Sequence, residues 1–266
     1  MESIDDLDEL PDRYTTVLCD VWGVIHDGGA IYKGVRSRFA RWKEEGRKVV
    51  ILTNAPRPAD RVERELQRLG LDPTLWHALT SSGQAGIEAL THPLRDVGFC
   101  GTRWDFEDME AHGVRFAAAE EPHEEICMTG LDEYRHTVAE YEADLAAWAA
   151  RDMLVHCLNP DRIVEHQGEM LVCAGALADR YEELGGRVKW YGKPETPMFE
   201  HALSLAGNPP LDSVVMIGDG PATDMVGAKR IGVDGILVRA GVSGRGAVQW
   251  GAEIGDWRPV MTVASL

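Results

Sequence analysis

No apolar run in the 266 residues approaches the roughly 20 consecutive apolar residues of a bilayer-spanning helix, so no membrane span is expected. Cysteine is sparse. Cys19, Cys100, Cys127, Cys157 and Cys173 are scattered, odd in number and without metal-type pairing, which fits reduced core thiols better than a disulfide framework. The nine histidines show no zinc-ligand spacing, and none is assigned to a metal. Basic residues are few: 27 Lys and Arg stand against 44 Asp and Glu, a net charge of -17. A nucleic-acid backbone or an anionic membrane would be repelled at long range, and neither is expected as a partner. A small phosphorylated molecule is not excluded, because a local metal ion and a lysine can outweigh the global field. The acidic stretch Met1 to Leu10 has no apolar run after a basic start, so it does not read as a signal peptide, and a cytoplasmic location is expected. Repeats, low-complexity tracts and long flexible linkers are also missing.

What is present is an alternation of strand and helix patterns. The apolar run Thr16 to Cys19 is followed by a helical stripe of Val35, Phe39 and Trp42 that stops at Gly46. Val49 to Leu52 is the next strand, and Pro58 opens a helix bearing Val62, Leu66 and Leu69 up to Gly70. The pattern resumes with a strand at Trp190-Tyr191, a helix with Met198, Ala202 and Leu205, a strand Val214 to Ile217, a helix from Asp224 and a strand Ile236 to Val238. Between these halves lies a second alternating block long enough to be its own domain. It has candidate strands at Val97 to Cys100, Glu125 to Met128 and Met153 to Cys157. One of its helices is expected to carry Tyr134, Val138, Tyr141, Leu145 and Trp148 on a single core-facing stripe, and another Ala174, Leu177, Tyr181 and Leu184. The alternation predicts an α/β protein whose parallel sheet is covered by helices on both faces and interrupted by an inserted α/β domain.

Four short segments place a group suited to phosphate chemistry just past an apolar run. Asp20 follows Cys19, Thr53 and Asn54 follow Leu52, Lys193 stands in Gly192-Lys193-Pro194, and Asp219 and Asp224 follow Gly218. The carboxyl ends of neighbouring parallel strands line one crevice, so these groups can meet in space although remote in sequence. Together they offer a carboxylate nucleophile, a hydroxyl and an amide for phosphate, a cation, and carboxylates for a hard metal ion. Each segment alone also has a plain reading as a turn, a cap or a surface lysine. Their number and order favour the phosphate site.

In Asp20-Val21-Trp22-Gly23-Val24, Leu52-Thr53-Asn54-Ala55, Gly192-Lys193-Pro194 and Gly218-Asp219-Gly220 with Thr223-Asp224, the chain resembles the haloacid dehalogenase (HAD) superfamily, specifically its NagD-like subclass IIA. Asn159-Pro160-Asp161 and Cys173-Ala174-Gly175-Ala176-Leu177 resemble the signature of that subclass's cap domain. The resemblance covers nearly the whole chain. It implies a doubly wound, Rossmann-like parallel-sheet core over residues 1–81 and 188–266, with an inserted α/β cap domain of the C2 type over 82–187. It also implies a Mg2+-dependent phosphatase of small phosphorylated metabolites (sugar phosphate, nucleotide or aryl phosphate), working through an aspartyl phosphate on Asp20. Lys193 would pair with the nucleophile and the phosphoryl oxygens. Thr53 and the amides near Asn54 and Gly23 would fix the phosphoryl group, and the metal would be held by Asp20, the Trp22 carbonyl and Asp219, with Asp224 in support. The oligomeric state is left open.

One position departs from the pattern. The residue two past the nucleophile is usually a second aspartate, which protonates the leaving oxygen and later activates water; here it is Trp22. An indole does neither, and general acid–base help is worth about 10²- to 10⁴-fold. His26 and the adjoining Asp27 are candidate substitute acids, although a histidine packed in the loop is the plainer reading. A leaving group that is already a weak base is the other way out. Two rivals follow: a phosphate- and magnesium-binding regulatory protein without turnover, which Trp22 favours, and a phosphoacceptor receiver module, which the long insert disfavours. Arg57 is a further candidate for a substrate anion.

Overall fold

The computed structural model describes residues 2–4, 7, 10–118, 121–166, 169–239 and 248–266. The chain opens with β1 (Glu2–Ile4), β2 (Thr16–Cys19), α1 (Val35–Glu44), β3 (Lys48–Thr53), α2 (Ala59–Arg68) and β4 (Ala78–Ser81). It continues through α3 (Ser82–Thr91), β5 (Asp96–Cys100), α4 (Arg103–Ala111), β6 (Arg115–Phe116), β7 (Glu125–Met128), α5 (Glu142–Ala150), β8 (Leu154–Cys157), β9 (Ile163–His166), β10 (Glu169–Val172), α6 (Ala174–Glu183) and β11 (Arg187–Trp190). It closes with α7 (Thr196–Leu205), β12 (Val214–Gly218), α8 (Val226–Ile231), β13 (Asp234–Val238) and β14 (Met261–Val263). No helix among the described residues is long and apolar enough to cross a membrane.

Two compact units result. The first comprises Met1–Thr53, Glu63–Thr80 and Lys193–Leu266, and the second Asn54–Val62 and Ser81–Gly192. In the first, seven strands take the order β1-β14-β13-β12-β2-β3-β4. The pairs from β1 through β3 are parallel. Successive strand residues point to opposite faces. One set, Leu18, Val50, Leu52, Val214, Met216 and Leu237, packs under Met198, Phe199 and Ala202 of α7 and Val226 and Ala228 of α8. The alternate set, Val17, Cys19, Val49, Ile51, Val215, Ile217, Ile236 and Val238, is equally buried. Both faces are therefore covered, the condition under which a parallel sheet is stable. Helix α1 buries Val35, Phe39 and Trp42 as its spacing predicts, with Phe39 and Trp42 stacked at 5.7 Å. It stops at Gly46, whose φ of 78° suits a residue without Cβ.

From β2 the chain moves to β3 on one side, whereas from β12 it moves to β13 on the other. Adjacent β2 and β12 thus flank the point where the winding reverses, and such a point opens a crevice at the strands' carboxyl ends. Asp20 and Asp219 follow these two strands.

The second unit has a five-stranded sheet of order β11-β8-β7-β5-β6, parallel throughout, and the antiparallel hairpin β9–β10. Two sequence expectations need correction here. The strand ending at Trp190, expected to resume the first sheet, pairs with β8 in this second sheet, with Val188 opposite Val155. Its length and apolar content suit either sheet, and only the pairing decides. Tyr134 does not share a helical stripe with Tyr141 and Trp148: a Thr137–Glu140 capping box starts a short 3₁₀ turn, and α5 begins only at Glu142. Tyr141 and Leu145 are buried in the core of this unit, whereas Tyr134 lies in the loop before it, in water.

Candidate active site

Asp20 is placed by the sheet itself. Its N–H donates to the Ile217 carbonyl of the neighbouring strand at 2.9 Å, and its own Oδ1 accepts the Val21 N–H at 2.7 Å. Lys193, just before α7, is buried and reaches Asp20 Oδ1 at 2.5 Å and Asp224 Oδ1 at 2.7 Å. Asp224 is fully buried in the single wide turn Pro221–Met225 that precedes α8, where its Oδ2 accepts the Gly220 N–H at 2.9 Å. Gly218 makes room for that carboxylate, since a Cβ there would stand 2.2 Å from Asp224 Cγ. Asp20, Asp219 and Asp224 each offer one oxygen within 4.8 Å of the others. Lys193, Asp20, Asp219 and Asp224, predicted from remote segments, are therefore together.

Three carboxylates face one ammonium, which leaves two surplus negative charges among these four groups. Burial, and then the Asp224 charge, push the Asp20 carboxyl well above the usual range, against the pull of Lys193. Burial by itself lowers the Lys193 ammonium, but Asp20 and Asp224 outweigh it and hold the pKa above its ordinary value. A buried, oxygen-only set with surplus negative charge has the chemistry of a hard divalent cation site and not of a soft-metal one. These residues fit a magnesium-like ion. Cys19, adjacent to Asp20, is an inert thiol whose pKa burial pushes far up.

Past Asp20 the chain folds back on itself. The Ile25 N–H donates to the Val21 carbonyl at 2.7 Å, and the Gly23 N–H to the His26 carbonyl at 2.9 Å. Gly23 has a φ of 75°, so it shapes this turn, and its N–H, one of the expected phosphate donors, is already committed. Trp22 is half-buried and meets His26 edge-to-face, ring centroids 5.1 Å apart. His26 is buried, and its Nδ1 accepts the Gly28 N–H at 2.9 Å. A neutral ring with its proton on Nε2 accepts that bond, and an imidazolium would have to give it up. This arrangement counts against His26 as the substitute acid.

Thr53 ends β3, buried, two residues beyond Ile51, which pairs with Cys19. Asn54 begins the second unit's segment and donates from Nδ2 to Asp161 Oδ1 at 2.8 Å. Asn159 in turn accepts the Asp161 N–H at 3.2 Å in an Asx turn. Two motifs read separately in the sequence are thus one hydrogen-bonded group, and no local pattern announces the pairing. Sequence reasoning also missed Asp105, a buried carboxyl on α4 that accepts from the Thr129 hydroxyl at 3.2 Å, and whose pKa burial raises.

The chain matches a model of haloacid dehalogenase-like hydrolases over residues 17–115 and a HAD-hydrolase-like model over 190–266. It is similar to the crystal structure of a hydrolase of the haloacid dehalogenase-like family from Brucella suis 1330, with 30% identity, a TM-score of 0.87 and 99% of each chain covered. It is 26% identical to the phospholysine phosphohistidine inorganic pyrophosphate phosphatase of Rattus norvegicus, over 85% of this chain and 83% of that one. It is 24% identical to an acid sugar phosphatase of Staphylococcus epidermidis, over 87% of this chain and 88% of that one.

Proposed function

This chain belongs to the haloacid dehalogenase-like hydrolases, subclass IIA, and from that premise we propose that it is a magnesium-dependent phosphatase of small phosphorylated metabolites. The observation that carries the reading is the Lys193 ammonium held between Asp20 and Asp224, with Asp219 alongside, at the carboxyl ends of β2 and β12.

Asp20 is the nucleophile. Its carboxylate oxygen bonds to phosphorus as the bond to the leaving atom breaks, and the electron pair departs with that atom. Water then attacks the phosphorus of the aspartyl phosphate, the bond to Asp20 breaks with its electron pair returning to the carboxylate, and inorganic phosphate leaves carrying the water's protons on its oxygens. Lys193 orients Asp20 and draws charge from the phosphoryl oxygens, while Thr53 and the main chain after it fix the group. Magnesium held by Asp20, Asp219 and the Trp22 carbonyl, with Asp224 in support, would neutralise the surplus charge and polarise the phosphoryl group.

Trp22 narrows the substrate class. With an indole where an acid is usual, and a His26 ring whose Nδ1 is an acceptor, neither side chain is set to protonate the leaving group, which favours substrates that need no such proton. Aryl phosphates and phosphoanhydrides lose their leaving groups as weak bases, and phosphoramidates leave as amines carrying their own proton. The phosphatase named for phospholysine, phosphohistidine and pyrophosphate fits that class; the one named for sugar phosphates does not.

A magnesium-dependent screen of phosphorylated compounds, with Asp20→Asn as the blank, tests the reading. Hydrolysis of p-nitrophenyl phosphate and pyrophosphate above the blank, and ahead of sugar phosphates, is expected. Binding of magnesium and phosphate with no turnover on any compound would establish the regulatory reading instead.

A further inference from the structure

Asn159-Pro160-Asp161 and Cys173 to Leu177, the two second-unit motifs that the proposed chemistry leaves unused, are one construction. Asp161 follows β8 and stands beside the start of α6. Its carbonyl accepts the Gly175 N–H at 3.0 Å, and the Asn159 side chain accepts the Asp161 N–H at 3.2 Å. Gly175 permits that approach, since a Cβ there would stand 2.4 Å from the Pro160 carbonyl oxygen and 2.5 Å from that of Asp161. Arg162 closes the turn: its Nη1 donates to the Pro160 carbonyl at 2.7 Å, while its Nε and Nη2 grip Asp179 of α6 at 2.9 and 2.6 Å. The main chain of Asp161 is therefore fixed on both sides.

The carboxylate so held accepts from Asn54 Nδ2 at 2.8 Å. An ionised carboxylate only accepts hydrogen bonds, so it takes the NH2 end of the amide and turns the oxygen end away. That oxygen faces Gly192, where a Cβ would stand 2.6 Å from Asn54 Oδ1; with a φ of 90° and no side chain, Gly192 leaves the space. Asn54 is buried, and a flipped amide would set its oxygen against the Asp161 carboxylate. The loop that Asn54 begins is held further along by the start of α3: the Gly83 N–H donates to the Ala55 carbonyl at 3.1 Å, and the Ser81 hydroxyl to the Arg57 carbonyl at 2.5 Å. At the Thr53 end the Asp161 bond ties the loop through a side chain. This is the stretch whose main chain is assigned to the phosphoryl group, and such a cradle is effective only when it is held in place before the ligand arrives.

We infer that Asp161 is a positioning residue for phosphate binding: by fixing the Asn54 amide it holds the main chain after Thr53 in place. The inference rests on the assignment of that loop to phosphate under the proposed function. Calorimetric titration of the full chain with inorganic phosphate, in magnesium, tests it. Asp161→Ala should weaken phosphate by about tenfold, the scale of one charge-assisted hydrogen bond. Asp161→Asn, which keeps an acceptor oxygen, should recover most of that loss. Asn54→Ala should lose at least as much as Asp161→Ala, and the double variant no more than Asn54→Ala alone, because one residue acts through the other. Asp161 is only half-buried, so its variants should fold. A carboxylate that merely braced its own turn would lower the melting temperature and leave phosphate affinity alone. Unchanged affinity in Asp161→Ala, losses that add in the double variant, or no phosphate binding by the wild type would each overturn the inference. Hydrolysis is read separately. A wild type that binds phosphate but turns over no ester fails the phosphatase reading while the Asp161 effect on affinity stands; hydrolysis by the wild type with unmoved affinity in Asp161→Ala fails the inference alone.

Discussion

Lys193 Nζ stands 2.5 Å from Asp20 Oδ1, with both side chains closed to solvent. Because three carboxylates crowd this one ammonium, the two partners should respond with opposite sign to neutralisation. Lys193→Met leaves buried carboxylates without their cation and should cost about 3–5 kcal/mol in urea unfolding without metal. Asp20→Asn removes a surplus negative charge and should be neutral or stabilising under the same conditions. Magnesium should then raise the wild-type melting temperature more than that of Asp20→Asn. Equal destabilisation by both substitutions would mean that the charges are balanced without a metal.

Gly218 and Asp224 supply a steric prediction. A methyl at Gly218 meets the Asp224 carboxylate at 2.2 Å, so Gly218→Ala should displace Asp224 and cost about 1–3 kcal/mol, the usual range for overpacking. Hydrolysis should fall with it. Gly130→Ala, with nothing within 4 Å of the added Cβ, should leave stability near wild type. If both variants melt alike, the close approach at Gly218 is not what positions Asp224.

Trp22 sets the expected leaving-group dependence. The wild type should favour p-nitrophenyl phosphate over a sugar phosphate, and Trp22→Asp should raise kcat/KM on the sugar phosphate by about 10²-fold or more, with little gain on the aryl ester. His26→Ala should leave that preference unchanged, since protonating the ring would cost the Gly28 N–H bond that its Nδ1 accepts. A selective loss on the sugar phosphate in His26→Ala would reinstate His26 as the acid.

Asp132 carries a pH dependence. Burial would raise its carboxyl, but the Tyr134 and Arg135 N–H groups and the Arg135 guanidinium hold it at about 2. A depressed carboxylate contributes stability above its unfolded pKa, near 4, and that contribution disappears as pH falls through about 2. Asp132→Asn should therefore lose about 2 kcal/mol at neutral pH and converge with wild type near pH 2. Parallel curves across that range would show that charge on Asp132 is not what ties the loop.

Strands β2, β3, β12 and β13 of the first sheet and the meeting of Asp20, Lys193, Asp219 and Asp224 were readable because their signals are local: apolar runs that end in Asp20, Thr53 or Gly218-Asp219, and helices that stop at Gly46 and Gly70; β1, β4 and β14 carry no such signal. What escaped depends on pairing between distant strands. Trp190 belongs to the second sheet only because Val188 meets Val155, and nothing in its own residues says so. The Tyr134 spacing imitates a helix stripe until the capping box at Thr137 and Glu140 shows where the turn begins. The Asn54–Asp161 bond joins residues 107 apart, a distance no periodicity spans.

As the proposed nucleophile, Asp20 should carry the phosphoryl group during turnover. Acid-quenching the protein milliseconds after mixing with magnesium and p-nitrophenyl phosphate, followed by peptide mass spectrometry, reads this directly. One phosphoryl group on the peptide containing Asp20, absent in Asp20→Asn and lost again as turnover proceeds, is the expected result. Steady hydrolysis with no phosphorylated peptide, or with the label on another residue, would rule out Asp20 as the nucleophile.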